Sequence, residues 1–239
     1  MRSKIVPVTN VTRLAEAAAA LLNRANGMPG MGLCYGPSGL GKTTATAWLA
    51  TRQHGVFVRA MATSTPTSLL DKICQELCIA SRARVAQTVE AIVGKLAETG
   101  RPLFVDEADY VVGQQRLVDT LRDLHDLSEV PVILIGMQGI DRKISLSPQL
   151  SGRMAQWVEF KPATLDDARK LAAELCEVAV ADDLVADLHL KTGGAVRNMV
   201  VGLGRIEQLA KNRSAKSIEL ADWPRGTDYF LGHAPRKAA

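Results

Sequence analysis

The sequence predicts an α/β chain: a parallel five-stranded sheet in an αβα sandwich, followed by a small all-helical C-terminal unit. Three observations carry this. Short apolar runs alternate with amphipathic stretches between residues 30 and 160. The run VPVILIG is apolar on both faces, as a central parallel strand must be. Beyond Pro162 the strand-like runs stop while helical spacing continues. With 239 residues, 47% hydrophobic, the chain can bury one large or two small cores and is too apolar for general disorder.

Taken in order, TRLAEAAAALLNRAN reads as a helix over residues 12–26, with Thr12 as its N-cap and Gly27 as its stop. GMGLCYG is a first strand, GPSGLGKTTATAWLATRQHG a loop and then a helix, and VFVRAM a second strand. PTSLLDKICQELCI is a helix with Leu69, Leu70, Ile73 and Leu77 on one side, and RVAQTVEAIVGKLAETG brings Val85, Val89, Ile92, Val93 and Leu96 together. LFVDEAD is a buried strand ending in acids, and QQRLVDTLRDLHDLS is a helix through Leu117, Leu121 and Leu124. VPVILIG makes the fourth strand, and QWVEF the fifth, after the loop-like LSPQLSGRM. TLDDARKLAAELCEVAV, ADDLVADLHLKTGG and AVRNMVVGLGRIEQLAKN are all helical in spacing, with no strand between them. The expected division is 1–29, an N-terminal linker and helix; 30–162, the sandwich; 163–222, a helical unit; and 223–239, a tail whose GHAPRKAA reads as a frayed basic end.

Composition narrows the function classes. A net charge of +4 permits contact with an acidic polymer without requiring it. Cys34, Cys74, Cys78 and Cys176 form no CxxC pair and sit in apolar surroundings, so buried thiols are expected in place of disulfides or a zinc site. His54, His125, His189 and His233 are scattered, against a metal cluster. Neither a signal-peptide core nor an apolar run of membrane-spanning length is present, so a soluble cytoplasmic protein with no membrane partner is expected.

The chemistry begins at Gly36-Pro37-Ser38-Gly39-Leu40-Gly41-Lys42-Thr43, which fits GxxxxGK[ST] between a strand and a helix, with Thr44 continuing into the helix. Its glycines let backbone N–H groups wrap phosphate oxygens, Lys42 neutralises the β and γ phosphates of ATP, and Thr43 offers its hydroxyl to Mg²⁺. A carboxylate at a neighbouring strand end must complete the metal site, and LFVDE supplies Asp106 for Mg²⁺ and Glu107 to polarise the attacking water. Asp109 completes the letters DEAD, but other helicase motifs are missing, so that letter reads as coincidence. Gln138, after the fourth strand, is in reach of the γ phosphate if that strand lies between the other two. Arg197, in TGGAVRN at a helix start, is placed to reach back to the nucleotide.

In this order the segments resemble an AAA+ ATPase, with Walker A at residues 36–43, Walker B at 103–107, a sensor-1-like Gln138, an arginine-finger-like Arg153 and a sensor-2-like GGAVRN. The resemblance covers residues 8–210 and implies strand order 5-1-4-3-2 and ATP shared between adjacent subunits. It also makes Arg153 part of a neighbour's site, where a guanidinium would stabilise charge on the transferring phosphoryl group. VTNVTRL, LFVDEAD, VPVILIGMQG and LSGRM look most like the transposition-regulator branch, the Mu B transposition protein with its TnsC-like and IstB-like relatives. Only thirty-five residues precede Gly36, so no N-terminal helix-turn-helix region of the Mu B type is expected and any DNA contact is expected from the ATPase core.

In related assemblies the loops after the second and third strands face a channel. Here they offer Arg59, Thr63, Ser64, Thr65 and Arg116, with Lys72, Arg82 and Arg84 nearby, residue types suited to phosphate contact without base readout. The resemblance therefore implies a DNA-binding ATPase of a bacterial or phage-infected cytoplasm that assembles as a homo-oligomer, ring or filament, on duplex DNA. It would select target DNA and stimulate a partner transposase. The alternatives are a helicase loader or replication-initiation ATPase, and a non-catalytic switch using ATP only to change assembly state, which Glu107 argues against.

Overall fold

The computed structural model describes residues 1–25, 27–224 and 227–229. Five strands, β1 (Met31–Tyr35), β2 (Val56–Arg59), β3 (Leu103–Asp106), β4 (Val132–Ile135) and β5 (Met154–Glu159), form one sheet in the order β2-β3-β4-β1-β5. Every pairing is parallel, with Met31 opposite Val132, Leu103 opposite Val132 and Arg59 opposite Asp106. Read from the other edge this is 5-1-4-3-2, the expected order. The central strands β3 and β4 are buried along their whole length, which explains their unbroken apolar runs, whereas the edge strands β2 and β5 alternate.

The helices are α1 (Thr9–Leu22), α2 (Lys42–Arg52), α3 (Pro66–Glu76), α4 (Val85–Thr99), α5 (Asp109–Val112), α6 (Gln115–Ser128), α7 (Ile140–Ser145), α8 (Pro148–Ser151), α9 (Leu165–Leu175), α10 (Asp182–Thr192) and α11 (Val196–Asn212). Chain contacts divide into two compact units: Thr12–Ser38 with Lys42–Phe160, and Met1–Val11 with Gly39–Gly41 and the described residues from Lys161 onward. In the sheet unit, Leu33, Val58, Leu103, Val105 and Leu134 pack with Leu69 and Ile73 of α3, Ile92 and Leu96 of α4, and Leu117 and Leu121 of α6. In the helical unit, α10 packs on α9 and α11, burying Leu171, Leu184, Leu188, Leu203 and Ile206.

Four expectations are corrected. The first helix begins at Thr9, three residues early, because the Thr9 N–H and hydroxyl both donate to Asp167 Oδ1, at 2.9 and 3.0 Å. It ends at Leu22; Asn26, where its end was expected, lies outside the described residues. In α4 the buried positions are Thr88, Ile92 and Leu96, and Val85 is 48% exposed because it starts the helix. The stretch CEVAV is not helical: α9 stops at Leu175, and β6 (Ala179–Val180) pairs in parallel with β7 (Ser217–Ile218). Two-residue strands are too short to leave a period in the sequence. Cys78 is exposed, at the left-handed turn after α3 (φ 55°), while the other three thiols are buried. The GHAPRKAA tail and His233 lie outside the described residues.

Candidate functional site

The carboxyl ends of β1, β3 and β4 open side by side, so the loops that follow them converge. After Tyr35 the chain turns at Gly36 (φ 142°), Gly39 (φ 84°) and Gly41 (φ 86°), a backbone region that L side chains rarely enter. At Gly36 a second constraint acts: a Cβ there would lie 2.5 Å from the Phe160 carbonyl oxygen, and Phe160 N–H donates to Tyr35 O at 2.7 Å. α2 starts at Lys42, leaving its first N–H groups without helical partners and biasing the loop toward anions. Gly39–Gly41 cluster with the helical unit, where the Arg197 N–H donates to Gly39 O at 2.9 Å; the Arg197 side chain is exposed.

Lys42 is only 8% exposed, and its ammonium donates to Gly36 O at 2.7 Å and Pro37 O at 2.8 Å. Burial draws it below the ordinary lysine range, while the carboxylates of Asp109, Glu107 and Asp106 pull it back. Cys34, fully buried on β1, has its thiol pushed well up by burial, so it stays neutral and inert.

Asp106 ends β3 at 2% exposure, with Oδ1 3.3 Å from the Thr43 hydroxyl. Its Oδ2 accepts from Arg59 Nε at 3.0 Å and Nη2 at 2.8 Å, a fork made possible by the β2–β3 register. One hydroxyl and one carboxylate form a hard-oxygen donor pair, and no group of three His, Cys, Asp or Glu able to hold a metal occurs among the described residues. That set fits Mg²⁺, which keeps waters and phosphate oxygens and takes few protein ligands. Glu107, half-buried beside Asp106, adopts φ 55°, a left-handed conformation that costs a non-glycine residue about 1–2 kcal/mol.

Two contributors escaped the sequence reading. Asp109 has a structural role apart from the DEAD spelling: its Oδ2 accepts the Met137 N–H at 2.7 Å and so ties the loop after β3 to the loop after β4. Gly136 makes room for this, since a Cβ there would lie 2.9 Å from Asp109 Oδ2. Met137 Sδ is 4.0 Å from Lys42 Nζ, so Met137 is the residue of this loop that touches the lysine. β4 does lie between β1 and β3, and Gln138, one residue on, is exposed. Nothing in residue type marks Met137; its place follows from strand order.

Arg153 lies at the other end of the sheet, between α8 and β5. Its Nε and Nη2 grip Asp126 at 2.7 and 2.5 Å, and Nη1 donates to Gln149 O at 2.6 Å. It borders a cavity of about 610 Å³ that Arg24, His125, Asp126 and Glu129 also line. The suggested DNA contacts separate by exposure. Ser64 is 3% exposed with its hydroxyl accepting the Met61 N–H at 2.8 Å, so burial removes it from any surface. Thr65 caps α3, Lys72 donates to Arg59 O at 2.8 Å, and Arg59 is engaged with Asp106. Thr63, Arg82, Arg84 and Arg116 are exposed.

Residues 25–144 match a family model described as an AAA domain. Comparison with curated proteins found no match. Among solved structures, the chain resembles the Orc1 protein of Aeropyrum pernix in complex with DNA (TM-score 0.63, 18% identity, 92% of this chain and 64% of that one). It resembles Cdc6p of Pyrobaculum aerophilum (TM-score 0.66, 19% identity, 91% and 66%) and the RuvB Holliday junction branch migration motor of Thermotoga maritima (TM-score 0.59, 19% identity, 91% and 67%). The chain thus spans slightly less than two thirds of the Orc1 and Cdc6p chains, and the likeness is one of fold.

Proposed function

The chain belongs to the AAA domain family, and on that premise we propose that it binds ATP at residues 36–44, hydrolyses it, and works as a homo-oligomer on duplex DNA. The observation that carries this is the convergence of Lys42, Thr43, Asp106 and Glu107 at the carboxyl end of the sheet. Ser38, Gly39, Leu40 and Gly41 cradle phosphate with backbone N–H groups, while Gly36 and Pro37 shape the turn into the loop. Lys42 exchanges its bonds to the Gly36 and Pro37 carbonyls for phosphate oxygens, a trade that favours charged acceptors. Thr43 and Asp106 hold Mg²⁺, which when bound offsets negative charge on the phosphates. Glu107 accepts the proton of the attacking water, and Gln138 orients that water. Arg197 is the sensor-2-like cation of this reading, and Arg153 contributes one from an adjacent subunit, once Asp126 releases it.

The finer reading is target-DNA selection and stimulation of a partner transposase in a bacterial or phage-infected cytoplasm. The segments VTNVTRL, LFVDEAD, VPVILIGMQG and LSGRM support it. The likeness in fold to Orc1 and Cdc6p favours a second reading, a replication-initiation or helicase-loading ATPase. ATP turnover measured with and without duplex DNA tests the shared claim: stimulation by DNA supports it, and no turnover in either condition refutes it. Adding a candidate transposase or a candidate replicative helicase decides between the two readings by which one gains activity.

A further inference from the structure

Asp106 and Arg59 differ sharply in freedom. The carboxylate belongs to a central strand, is almost fully buried, and has its backbone carbonyl bound by the Ala60 N–H at 2.9 Å. The Arg59 side chain is 55% exposed, closes the edge strand β2, and precedes a turn whose Met61, Ala62 and Thr63 face solvent. Both nitrogens of its fork fall on the same carboxylate oxygen, Oδ2, while Oδ1 faces Thr43. One carboxylate carries a single negative charge, and a guanidinium on Oδ2 with a divalent cation on Oδ1 would share that charge while repelling each other. The guanidinium and a metal ion are therefore rivals for Asp106, and only the guanidinium has somewhere to go.

We propose that Arg59 is a positioning residue that holds Asp106 until a divalent cation takes the carboxylate, and that its freed guanidinium then binds a phosphate oxyanion. The inference rests on the nucleotide reading above. Two sources of that phosphate are within the chemistry of the site, the terminal phosphate of ATP and the backbone of duplex DNA. Arg59 thereby links the metal site to the exposed turn after β2, and the suggested DNA contact at Arg59 and the Asp106 pairing become two states of one side chain.

The test is the Mg²⁺ concentration giving half-maximal change in fluorescence of a methylanthraniloyl-ATP probe, for the full chain and its Arg59→Ala and Arg59→Lys variants. Arg59→Ala is expected to lower that concentration about tenfold, the scale of one charge-assisted fork. Arg59→Lys should fall between, and probe affinity in EDTA should change less than about twofold. An unchanged or raised Mg²⁺ midpoint in Arg59→Ala overturns the proposal. If the probe does not bind the unsubstituted chain at all, the nucleotide reading fails instead. Thermal melts give a second readout: Arg59→Ala should lose stability in EDTA and regain it with Mg²⁺, and equal loss in both contradicts the exchange. A Mg²⁺ midpoint that drops on adding a short DNA duplex, but not in Arg59→Ala, assigns the guanidinium to DNA. A midpoint that rises when an ADP probe replaces ATP, again only with Arg59 present, assigns it to the terminal phosphate, and no difference in either arm refutes the phosphate-binding step.

Discussion

Replacing Gly36 with alanine tests whether the phosphate loop has the shape described. The new Cβ would lie 2.5 Å from the Phe160 carbonyl oxygen and 3.4 Å from the Phe160 Cβ, against backbone that β1–β5 pairing holds in place. At φ 142° the alanine also enters a region worth about 1–3 kcal/mol of strain, and the close contact adds about 1–3 kcal/mol more. Lower entropy of the unfolded chain returns about 0.4–1 kcal/mol. The net cost is about 1–5.5 kcal/mol, or roughly 2–22 °C in Tm. The chain can avoid part of this by displacing the loop, and then ATP affinity falls in its place. Gly94→Ala in α4 is the control, because its Cβ meets nothing within 4 Å and alanine favours a helix interior by about 0.5–1 kcal/mol. Scanning calorimetry and ATP titration on both variants give the answer. Wild-type Tm together with wild-type ATP affinity in Gly36→Ala would refute the loop geometry.

Three further outcomes are expected. Glu107→Gln should keep ATP binding and lower turnover about a hundredfold or more, trapping the ATP-bound assembly; undiminished turnover moves the water-activating role elsewhere. Arg153→Ala should leave ATP binding intact and cost about 0.5–1 kcal/mol through loss of the half-exposed Asp126 fork, yet depress turnover in the assembly. Mixing it with Lys42→Ala should restore part of that turnover, and no recovery assigns Arg153 a local structural role. Burial holds the His125 imidazole below its ordinary value of 6.5, outweighing the Val130 carbonyl bond that favours the charged ring. The unfolded chain therefore binds the extra proton first: His125 adds stability above pH 6.5, and that stability is lost as pH falls through the lower folded value. Urea midpoints at several pH values should show this acid-side slope reduced in His125→Gln, and an unchanged slope removes His125 from the account.

The parts of the fold and site legible in the sequence are those set by local chemistry. The spacing of Gly36, Gly41, Lys42 and Thr43 is local to eight residues, and so is the LFVDE strand end. The apolar runs of β3 and β4 announced a buried strand and a central strand for the same reason. What stayed hidden depends on which distant elements meet. Thr9 starts α1 because of Asp167, 158 residues away. Arg59 reads as a surface arginine until β2 is set in register against β3. Met137 reaches Lys42 only because β4 inserts between β1 and β3, and Asp109 gains its role from the same neighbourhood. The β6–β7 pair joins segments nearly forty residues apart, two residues each.

The central claim is that Lys42 sits in an ATP phosphate site. Calorimetric titration of ATP with Mg²⁺ into the full chain and into Lys42→Ala tests it most directly, with circular dichroism confirming that both are folded. Loss of the buried ammonium should weaken ATP binding about a hundredfold, ~2.7 kcal/mol. Equal affinity in the two proteins would contradict the account.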